Sequence, residues 1–437
     1  MADFLILGVG VSLHKTDGVI RFEHYCNAYN LPYVIVGEGH EWRGGMENGT
    51  IGGGQKLNEV LEVIKDMDNK LILICDTFDL FPVAYQEEII TKYEKLCPQK
   101  QILISAEIVC WPDKALIKRY PQVSTKYRYL NSGCIMGYRD DIYRILSTYV
   151  IEDKHDDQLY FTLRFLEANN NILLDYNCSL FQTLYAATPD VVVHNNRVYN
   201  KYTNTYPVFI HGNGLAKLDL NRIENYLSPY PLKDVFIKEK NPKVFFALYI
   251  DSRKQKEMEN FLLHVDNLNY ENKIIYFYDS NPDGTSLPEN YYHTTQYRFN
   301  EFLSSNCDYY FLLEQQCIIT NPDTVVELVN RADSEHRILA PLLKSKELTA
   351  FSNYWGALDR IGYYVRADDY IDVITYEKRG YWNAAYVSGA ILIHRSIFNW
   401  DILRKNKFND RDMNLCSNFR DYTLFMYMIN FDEYGMI

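Results

Sequence analysis

The sequence predicts a mixed α/β protein that contains two successive copies of one fold. Short apolar runs alternate with amphipathic helical patterns over residues 1–226, as they do in α/β domains. A segment with three prolines and several charges follows, and beyond it the same alternation starts again. We therefore predict one domain over 1–226, a linker over 227–242 and a second domain over 243–437.

The individual elements follow from the spacing of apolar residues. Runs that are apolar on both faces predict buried interior strands of a parallel sheet, and a spacing of three to four residues predicts helices. The predicted strands of the first half lie near the N-terminus and over 71–75, 101–104 and 134–136, with helices over 57–67 and 156–166. The second half opens with strand 244–249, helix 256–268 and strand 273–278.

Three landmarks recur in the same order in the two halves. Segments 71–76, 129–133 and 157–163 are matched by 309–314, 386–389 and 421–426. The copies differ where chemistry is expected. The first strand ends in Asp76 and Asp79, whereas the second ends in Glu314 followed by Gln, Gln and Cys317. We therefore predict that the first copy is catalytic and the second is accessory.

Composition and charge exclude several classes of protein. The 437 residues include 57 acidic and 45 basic side chains, and the net charge of −12 argues against a general nucleic-acid binder. No apolar run approaches the roughly 18 to 20 residues of a membrane span. Nine scattered cysteines without a Cys-x-x-Cys pair favour a reducing compartment. A secretion signal begins with basic residues, but this chain has Asp3 at that position. We therefore expect a cytoplasmic location.

Asp76 and Asp79 are candidate metal ligands. They follow a buried strand at its carboxyl end, where open α/β sheets bind ligands. Two carboxylates can converge there on Mn²⁺ or Mg²⁺, which would bridge a diphosphate. A solvated loop whose acids cap the next helix explains the motif equally well.

His211-Gly-Asn-Gly214, with Lys217 three residues on, is a second candidate. The imidazole could be a third metal ligand, while glycine N–H groups and the lysine could contact an anion. A turn with a surface histidine is the alternative. The loop that follows Trp42 has six glycines within 44–56 and leads into a helix, which suits phosphate binding and a closing lid.

Asp156 and Asp157 begin a predicted helix, and ordinary helix capping explains them. In the functional interpretation, one of these carboxylates faces a developing sugar cation or an acceptor hydroxyl. Trp111 could stack on a sugar, but a core position is expected for an isolated tryptophan.

Together these segments resemble the procollagen lysyl hydroxylase family over nearly the whole chain. In the first half the resemblance rests on Glu41-Trp-Arg-Gly-Gly45, Gly52-Gly-Gly-Gln-Lys56, Asp76-Thr-Phe-Asp79, Ser105-Ala-Glu107, Cys110-Trp-Pro112, Leu130-Asn-Ser-Gly133, Asp156-Asp-Gln-Leu159 and Ile210-His-Gly-Asn-Gly214. In the second half it rests on segments 307–311, 320–322, 338–341, 351–356 and 425–428. The chain stops where the family's iron- and 2-oxoglutarate-dependent domain would begin, so hydroxylation is not predicted.

The resemblance implies two tandem GT-A/Rossmann-like domains and a retaining, Mn²⁺-dependent transferase. It would move glucose or galactose from UDP-glucose or UDP-galactose to galactosyl-hydroxylysine or hydroxylysine of collagen or a collagen-like polypeptide. Carried over by position, the metal ligands are Asp76, Asp79 and His211. The donor would be held by Trp42, Lys56, Phe78, Gly212, Asn213, Gly214 and Lys217, and the sugar and acceptor side would be lined by Trp111, Asp156 and Asp157. The family has Tyr at position 78, so Phe78 keeps the stacking face without the hydroxyl.

Two other functions remain open on the sequence. A noncatalytic module that binds sugar or collagen would use both copies as platforms, and a nucleotide-sugar hydrolase would release free sugar whether or not an acceptor is present. A monomer is expected, because the family's dimer contact is expected in the hydroxylase domain.

Overall fold

A computed structural model describes residues 3–45, 52–68, 70–167, 171–227, 241–281, 291–347, 350–359, 361–402 and 407–437. The chain divides into two compact units, Met1–Leu232 and Lys233–Ile437, and each is described by itself. The predicted linker lies almost entirely outside the described residues, so its bounds stay a prediction. Among the described residues, no helix has both the length and the apolar character needed to span a bilayer.

Unit 1 alternates strands and helices as the sequence predicts. Its strands are β1 Phe4–Ser12, β2 Tyr33–Glu38, β3 Leu71–Asp76, β4 Leu80–Pro82, β5 Ile102–Glu107, β6 Tyr129–Tyr138, β7 Ile172–Leu174, β8 Phe181–Thr183, β9 Val191–His194, β10 Arg197–Asn200 and β11 Phe209–His211. Its helices are α1 Asp17–Ala28, α2 Gly54–Ile64, α3 Gln86–Leu96, α4 Arg139–Ser147, α5 Asp157–Phe165 and α6 Lys217–Glu224, with 3₁₀ turns at Lys114–Arg119, Thr188–Asp190 and Gly214–Ala216.

The main sheet of unit 1 has the order β2-β1-β3-β6-β5-β7. Alternate residues of β3 enter different cores, with Leu71 and Leu73 on one face and Ile72 and Ile74 on the other. This explains why the strand is apolar on both faces. The prediction of an all-parallel interior is wrong in one respect. Strand β6 runs antiparallel to both β3 and β5, and because it too is buried on both faces, its residues look like those of a parallel strand.

Unit 2 repeats the pattern with shorter strands at its periphery. Its strands are β12 Val244–Ile250, β13 Lys273–Asp279, β14 Tyr291–His293, β15 Tyr309–Glu314, β16 Ile318–Ile319, β17 Ile338–Pro341, β18 Leu343–Lys344, β19 Tyr354–Trp355, β20 Ala357–Leu358, β21 Tyr364–Val365, β22 Tyr381–Ala384, β23 Tyr386–Val387, β24 Ala390–His394, β25 Met426–Ile429 and β26 Gly435–Met436. Its helices are α7 Gln255–Asp266, α8 Asn300–Leu303, α9 Thr324–Arg331, α10 Tyr370–Ile374 and α11 Arg411–Asp421, with a 3₁₀ turn at Arg395–Asn399.

The two main sheets confirm the predicted duplication. The second has the order β14-β13-β12-β15-β24-β17-β25-β22, so β13-β12-β15-β24-β17-β25 corresponds to β2-β1-β3-β6-β5-β7 of the first. Every neighbouring pair in this series has the same direction in both units, including the antiparallel strand β24 that corresponds to β6. A shared order and direction across six strands identifies two copies of one fold.

The third sequence landmark is wrong. Asp157 is the first residue of α5, whereas Asp421, which was matched to it, is the last residue of α11. Aligned on their N-caps, the two helices place Asp410, which accepts from Met413 N, at the position of Asp156, and Arg411 at the position of Asp157. Both segments have an Asp followed by mostly apolar residues, and only the helix boundary distinguishes a first turn from a last one.

Candidate functional site

The candidate site lies at the carboxyl end of β3, where the chain turns into β4. Asp76 is the last residue of β3, and Asp79 follows just before β4. Strand β11 pairs antiparallel with β4 and places His211 opposite Leu80. Gly212 N donates to the carbonyl of Asp79 at 2.8 Å, which fixes the two segments together. The β4–β11 pairing therefore brings a distant histidine beside the two aspartates.

Asp76, Asp79 and His211 form a potential metal cluster, since one ligand atom from each lies within 4.8 Å of the others. His211 Nε2 is 3.4 Å from Asp79 Oδ1 and 3.7 Å from Asp76 Oδ2. Asp79 and His211 are buried, so the interpretations as a solvated loop and a surface histidine are wrong. Two carboxylates and an imidazole suit a divalent cation such as Mn²⁺.

The charges of the cluster shift its pKa values in opposite directions. Burial alone would raise the pKa of Asp79, but the positive charges of Lys217 and His211 hold it below its ordinary value. Burial would lower the pKa of His211, but the carboxylates of Asp79 and Asp76 raise it. The site therefore stabilises the anionic form of the Asp79 carboxylate, which a cation needs as a ligand.

Two lysines border the carboxylates. Lys56 Nζ lies 2.7 Å from Asp76 Oδ1 and 3.0 Å from Asp157 Oδ2, linking the strand end to α5. Burial opposes the charge of Lys56, but the nearby Asp157 and Asp76 raise its pKa above the ordinary value. Lys217 Nζ lies 3.4 Å from Asp79 Oδ2, and its side chain is 52% exposed. Lys217 is therefore the lysine of this pair that can turn toward a bound anion.

The two acids of α5 have different roles. Asp156 is the N-cap, with Oδ1 accepting from Leu159 N at 2.6 Å, which confirms the capping interpretation for this residue. Its burial raises its pKa to about 6, with the neighbouring Asp157 adding to the effect. Asp157 accepts from Ser132 Oγ at 3.0 Å and pairs with Lys56, so it belongs to the cluster.

A buried polar network behind the cluster centres on Glu107, which the sequence analysis did not select as a site residue. Glu107 Oε1 accepts from Gln158 Nε2 at 2.7 Å and from Asn131 Nδ2 at 3.3 Å, and Oε2 accepts from Asn213 Nδ2 at 3.0 Å. Glu107 is 3% exposed, and burial raises its pKa to about 7 despite these donors. Its position at the end of β5 was the available signal, because it marks the same edge of the sheet as Asp76.

The buried Glu107 should make stability depend on pH in the metal-free protein. Its carboxyl keeps a proton up to about pH 7 in the fold but loses it near 4.5 in the unfolded chain, so the free energy of unfolding falls as pH rises between these values. We expect Glu107→Gln to remove a decline on the order of 2 kcal/mol. Urea unfolding at pH 5, 6, 7 and 8 measures this. The exposed Glu94→Gln should keep the wild-type slope, and a wild-type slope in Glu107→Gln would contradict the assignment.

The glycines before α2 support close packing. Gly53 has φ +121°, and a Cβ there would lie 2.2 Å from Asp157 Oδ1. Gly54 N donates to His155 O at 2.7 Å and Gln55 N donates to Asp153 O at 3.0 Å. These N–H groups at the start of α2 are therefore already bonded, which contradicts their expected use for phosphate. The remaining part of the predicted lid, 46–51, lies outside the described residues.

The loop after β11 is likewise bonded internally. The N–H of Gly212 is taken by Asp79, and a Cβ on Gly212 would lie 2.7 Å from Leu220 Cβ. Asn213 Oδ1 accepts from Leu184 N at 3.1 Å and from Tyr185 N at 3.0 Å. Gly214 has φ +60° and begins the 3₁₀ turn that leads into α6. The Gly212 amide and the Asn213 side chain thus shape the loop that carries His211 and Lys217.

The three aromatic candidates lie outside the cluster itself. Trp111 is 52% exposed, so the expectation of a core position is wrong, and its carbonyl accepts from Gln158 Nε2 at 3.2 Å. Trp42 is 37% exposed, and its indole donates to Gly45 O at 2.7 Å within its own loop. Phe78, which lies between Asp76 and Asp79 in the sequence, is half-buried. Exposed aromatic faces are available for stacking on a sugar or a base.

Unit 2 has different residues at the corresponding positions. Strand β16 pairs antiparallel with β26 as β4 does with β11, so Glu314, Cys317 and Met436 stand where unit 1 has Asp76, Asp79 and His211. Glu314 is buried and forms an ion pair with Arg411. Tyr297 OH also donates to Glu314 Oε1, at 2.8 Å. A guanidinium thus neutralises the carboxylate that corresponds to Asp76.

Comparisons with known proteins agree with this architecture. Residues 3–234, more than half of the chain, match the family described as PLOD GT domain, and residues 259–436 match the N-terminal domain of glycosyltransferase family 25. With the duplicated sheet, these matches confirm the predicted fold class of two tandem GT-A/Rossmann-like domains.

Similar proteins cover nearly the whole chain. Uncharacterized protein R699 of Acanthamoeba polyphaga mimivirus is 47% identical over 450 residues, covering 99% of this chain and 98% of that protein. Procollagen-lysine,2-oxoglutarate 5-dioxygenase 2 of Mus musculus is 32% identical over 483 residues, and the human multifunctional procollagen lysine hydroxylase and glycosyltransferase LH3 is 28% identical over 484 residues. These matches cover 99% of this chain but only 65% of either mammalian protein. The chain therefore belongs to the procollagen lysyl hydroxylase family through its PLOD-type glycosyltransferase domain.

Proposed function

We propose that unit 1 is a Mn²⁺-dependent, retaining glycosyltransferase that uses UDP-glucose or UDP-galactose. The acceptor is galactosyl-hydroxylysine or hydroxylysine in collagen or a collagen-like polypeptide. The convergence of Asp76, Asp79 and His211 at the carboxyl edge of the sheet is the observation that carries the proposal. The similarity to LH3, a multifunctional procollagen lysine hydroxylase and glycosyltransferase, supports the choice of acceptor.

The charge balance of the site favours a bound cation. Asp76, Asp79 and Asp157 bring three carboxylates together against two lysines, Lys56 between Asp76 and Asp157 and Lys217 beside Asp79. One negative charge is therefore left uncompensated when His211 is neutral. A divalent cation held by Asp76, Asp79 and His211 would neutralise the diphosphate of the donor and the charge that develops on UDP as it leaves.

The surrounding residues position and neutralise the reactants. Lys56 keeps Asp76 and Asp157 at a fixed separation, so the strand end and α5 act as one surface. Lys217, which is half-exposed beside Asp79, adds positive charge where the diphosphate would lie. Asp156 and Asp157 face the sugar and acceptor side, together with Trp111. Phe78 and Trp42 would contact the donor through their aromatic faces.

We assign unit 2 an accessory role. Its Glu314 carboxylate is already paired with Arg411 and accepts a hydrogen bond from Tyr297, and Cys317 and Met436 are poor ligands for the hard cations that bridge diphosphates.

A transfer assay with matched donors tests this function. The chain would be incubated with UDP-glucose or UDP-galactose, with Mn²⁺ or a chelator, and with or without a galactosyl-hydroxylysine peptide, and UDP release and product mass would be measured. We expect chelator-sensitive transfer that depends on the peptide and on one of the two donors.

Other outcomes would select the alternative functions. Equal release of free sugar with and without peptide would identify a nucleotide-sugar hydrolase. Binding of a sugar or collagen peptide without UDP release under any condition would identify a noncatalytic binding module. Either result would contradict the proposed transferase.

A further inference from the structure

A bulge in β6 shapes the side of the site that faces His211. Ile104 of β5 pairs with Ile135 of β6, but the next residue, Ser105, pairs with Asn131. The intervening residues of β6 therefore have no partner on β5, and such bulges re-aim side chains beside active sites. Here the bulge places Asn131 Oδ1 at 3.1 Å from His211 Nδ1. Asn131 is 5% exposed, so water does not replace this contact.

The neighbours of Asn131 determine how its amide is oriented. Gly133 N, which can only donate, lies 3.1 Å from Oδ1. Asn131 Nδ2 lies 3.3 Å from Glu107 Oε1 and 3.3 Å from Gln158 Oε1. Rotating the amide by half a turn would place two donors against each other at Gly133. It would also place an oxygen against Gln158 Oε1, which is identified as an oxygen because Ser132 N donates to it at 3.3 Å. The atom beside His211 is therefore the oxygen.

This orientation has a consequence for the histidine ring. An oxygen that faces Nδ1 accepts a hydrogen bond from it, so Nδ1 carries the proton in the neutral imidazole. The lone pair then lies on Nε2, which is the ring nitrogen directed at Asp76 and Asp79. Residues that fix the tautomer of a metal-binding histidine in this way contribute strongly to metal affinity.

We propose that Asn131 is a positioning residue that holds His211 in its Nδ1-protonated tautomer and so presents Nε2 to a divalent cation. The inference rests on the proposed function, because it concerns the same cation site. It goes beyond that function by assigning a specific role to a residue of the buried network, which connects Glu107 and Gln158 to the site through Asn131.

Mn²⁺ affinity of the full chain, measured by EPR of the free ion, tests the proposal without relying on turnover. Asn131→Leu has a similar volume but no acceptor, and we expect it to weaken Mn²⁺ binding by about 10- to 100-fold. Asn131→Asp keeps the acceptor oxygen beside Nδ1. Its second oxygen would face Glu107, whose carboxyl carries a proton at pH 6, so at that pH the variant should retain affinity close to that of the wild type. Asn200→Leu is the matched control, because Asn200 is fully buried and hydrogen-bonded to Tyr127 and Gln182, away from the cluster.

The variants separate the possible explanations. Thermal unfolding without metal would measure the structural cost, which we expect in both leucine variants, whereas weaker Mn²⁺ binding should occur in Asn131→Leu alone. Wild-type affinity in Asn131→Leu would overturn the inference and leave the proposed function intact. If Asn131→Leu does not fold, the Mn²⁺ affinity of Asn131→Asp is the deciding measurement. A large loss of that affinity would overturn the proposed role of the oxygen beside His211 Nδ1. A wild-type chain that binds no Mn²⁺ would overturn the proposed function itself.

Discussion

Asp79→Asn should lower the rate of sugar transfer by at least about a hundredfold, since it removes one of the carboxylates that hold the proposed cation. The substitution preserves the size of the side chain, and the backbone bond from Gly212 N to Asp79 O is unaffected. The fold should therefore remain intact. Initial rates of UDP release at saturating donor and peptide, over a range of Mn²⁺ concentrations, measure the loss.

Asp190→Asn is the matched control for this experiment. Asp190 is an aspartate of the same unit, and its carboxylate is bonded to Tyr127 OH and Lys126 Nζ, each at 2.6 Å. We expect transfer near the wild-type rate from this variant. Wild-type turnover in Asp79→Asn would remove Asp79 from the metal site.

Gly133→Ala should cause a comparable loss of transfer. A Cβ at this position would lie 2.1 Å from Cε1 and 2.4 Å from Nδ1 of His211, far inside contact distance. The imidazole would have to move away from Asp76 and Asp79, and a displaced ligand weakens both Mn²⁺ binding and turnover. The concentration of Mn²⁺ needed for half-maximal transfer should rise by about tenfold or more.

Gly137→Ala makes the same chemical change further along β6. A Cβ on Gly137 would meet a side-chain atom of Ile102 at 3.0 Å, so a small movement of that side chain accommodates it. We expect this variant to keep the wild-type requirement for Mn²⁺. An unchanged requirement in Gly133→Ala would show that the His211 ring is not a ligand in the position described.

Local sequence pattern predicted the strands and one end of the site. The apolar run before Asp76 indicated a buried strand, and the carboxyl ends of such strands are where α/β sheets bind ligands. The direction of β6 could not be predicted, because antiparallel and parallel strands that are buried on both faces have the same composition. Direction depends on long-range pairing, which a single sequence does not display.

The buried half of the site was harder to predict. His211 meets Asp79 only because β11 pairs with β4, a contact between segments far apart in the chain. Asn131 approaches His211 because β6 is bulged, and no residue pattern marked that bulge. The glycines at 52–54 indicated close approach, but they did not show whether phosphate or a protein carbonyl would be the partner. In the structure the partners are protein carbonyls, those of His155 and Asp153 in the segment before α5.

The number of Mn²⁺ ions bound per chain in the presence of UDP tests whether unit 1 holds the cation. We expect one ion in the wild type, held by Asp76, Asp79 and His211 of unit 1. We expect none in Asp79→Asn at the same concentrations, because unit 2 offers no replacement site: its Glu314 is already paired with Arg411. EPR titration of the free ion gives this number. A wild-type chain that binds no ion, or an Asp79→Asn chain that still binds one, would show that Asp76, Asp79 and His211 are not the metal site.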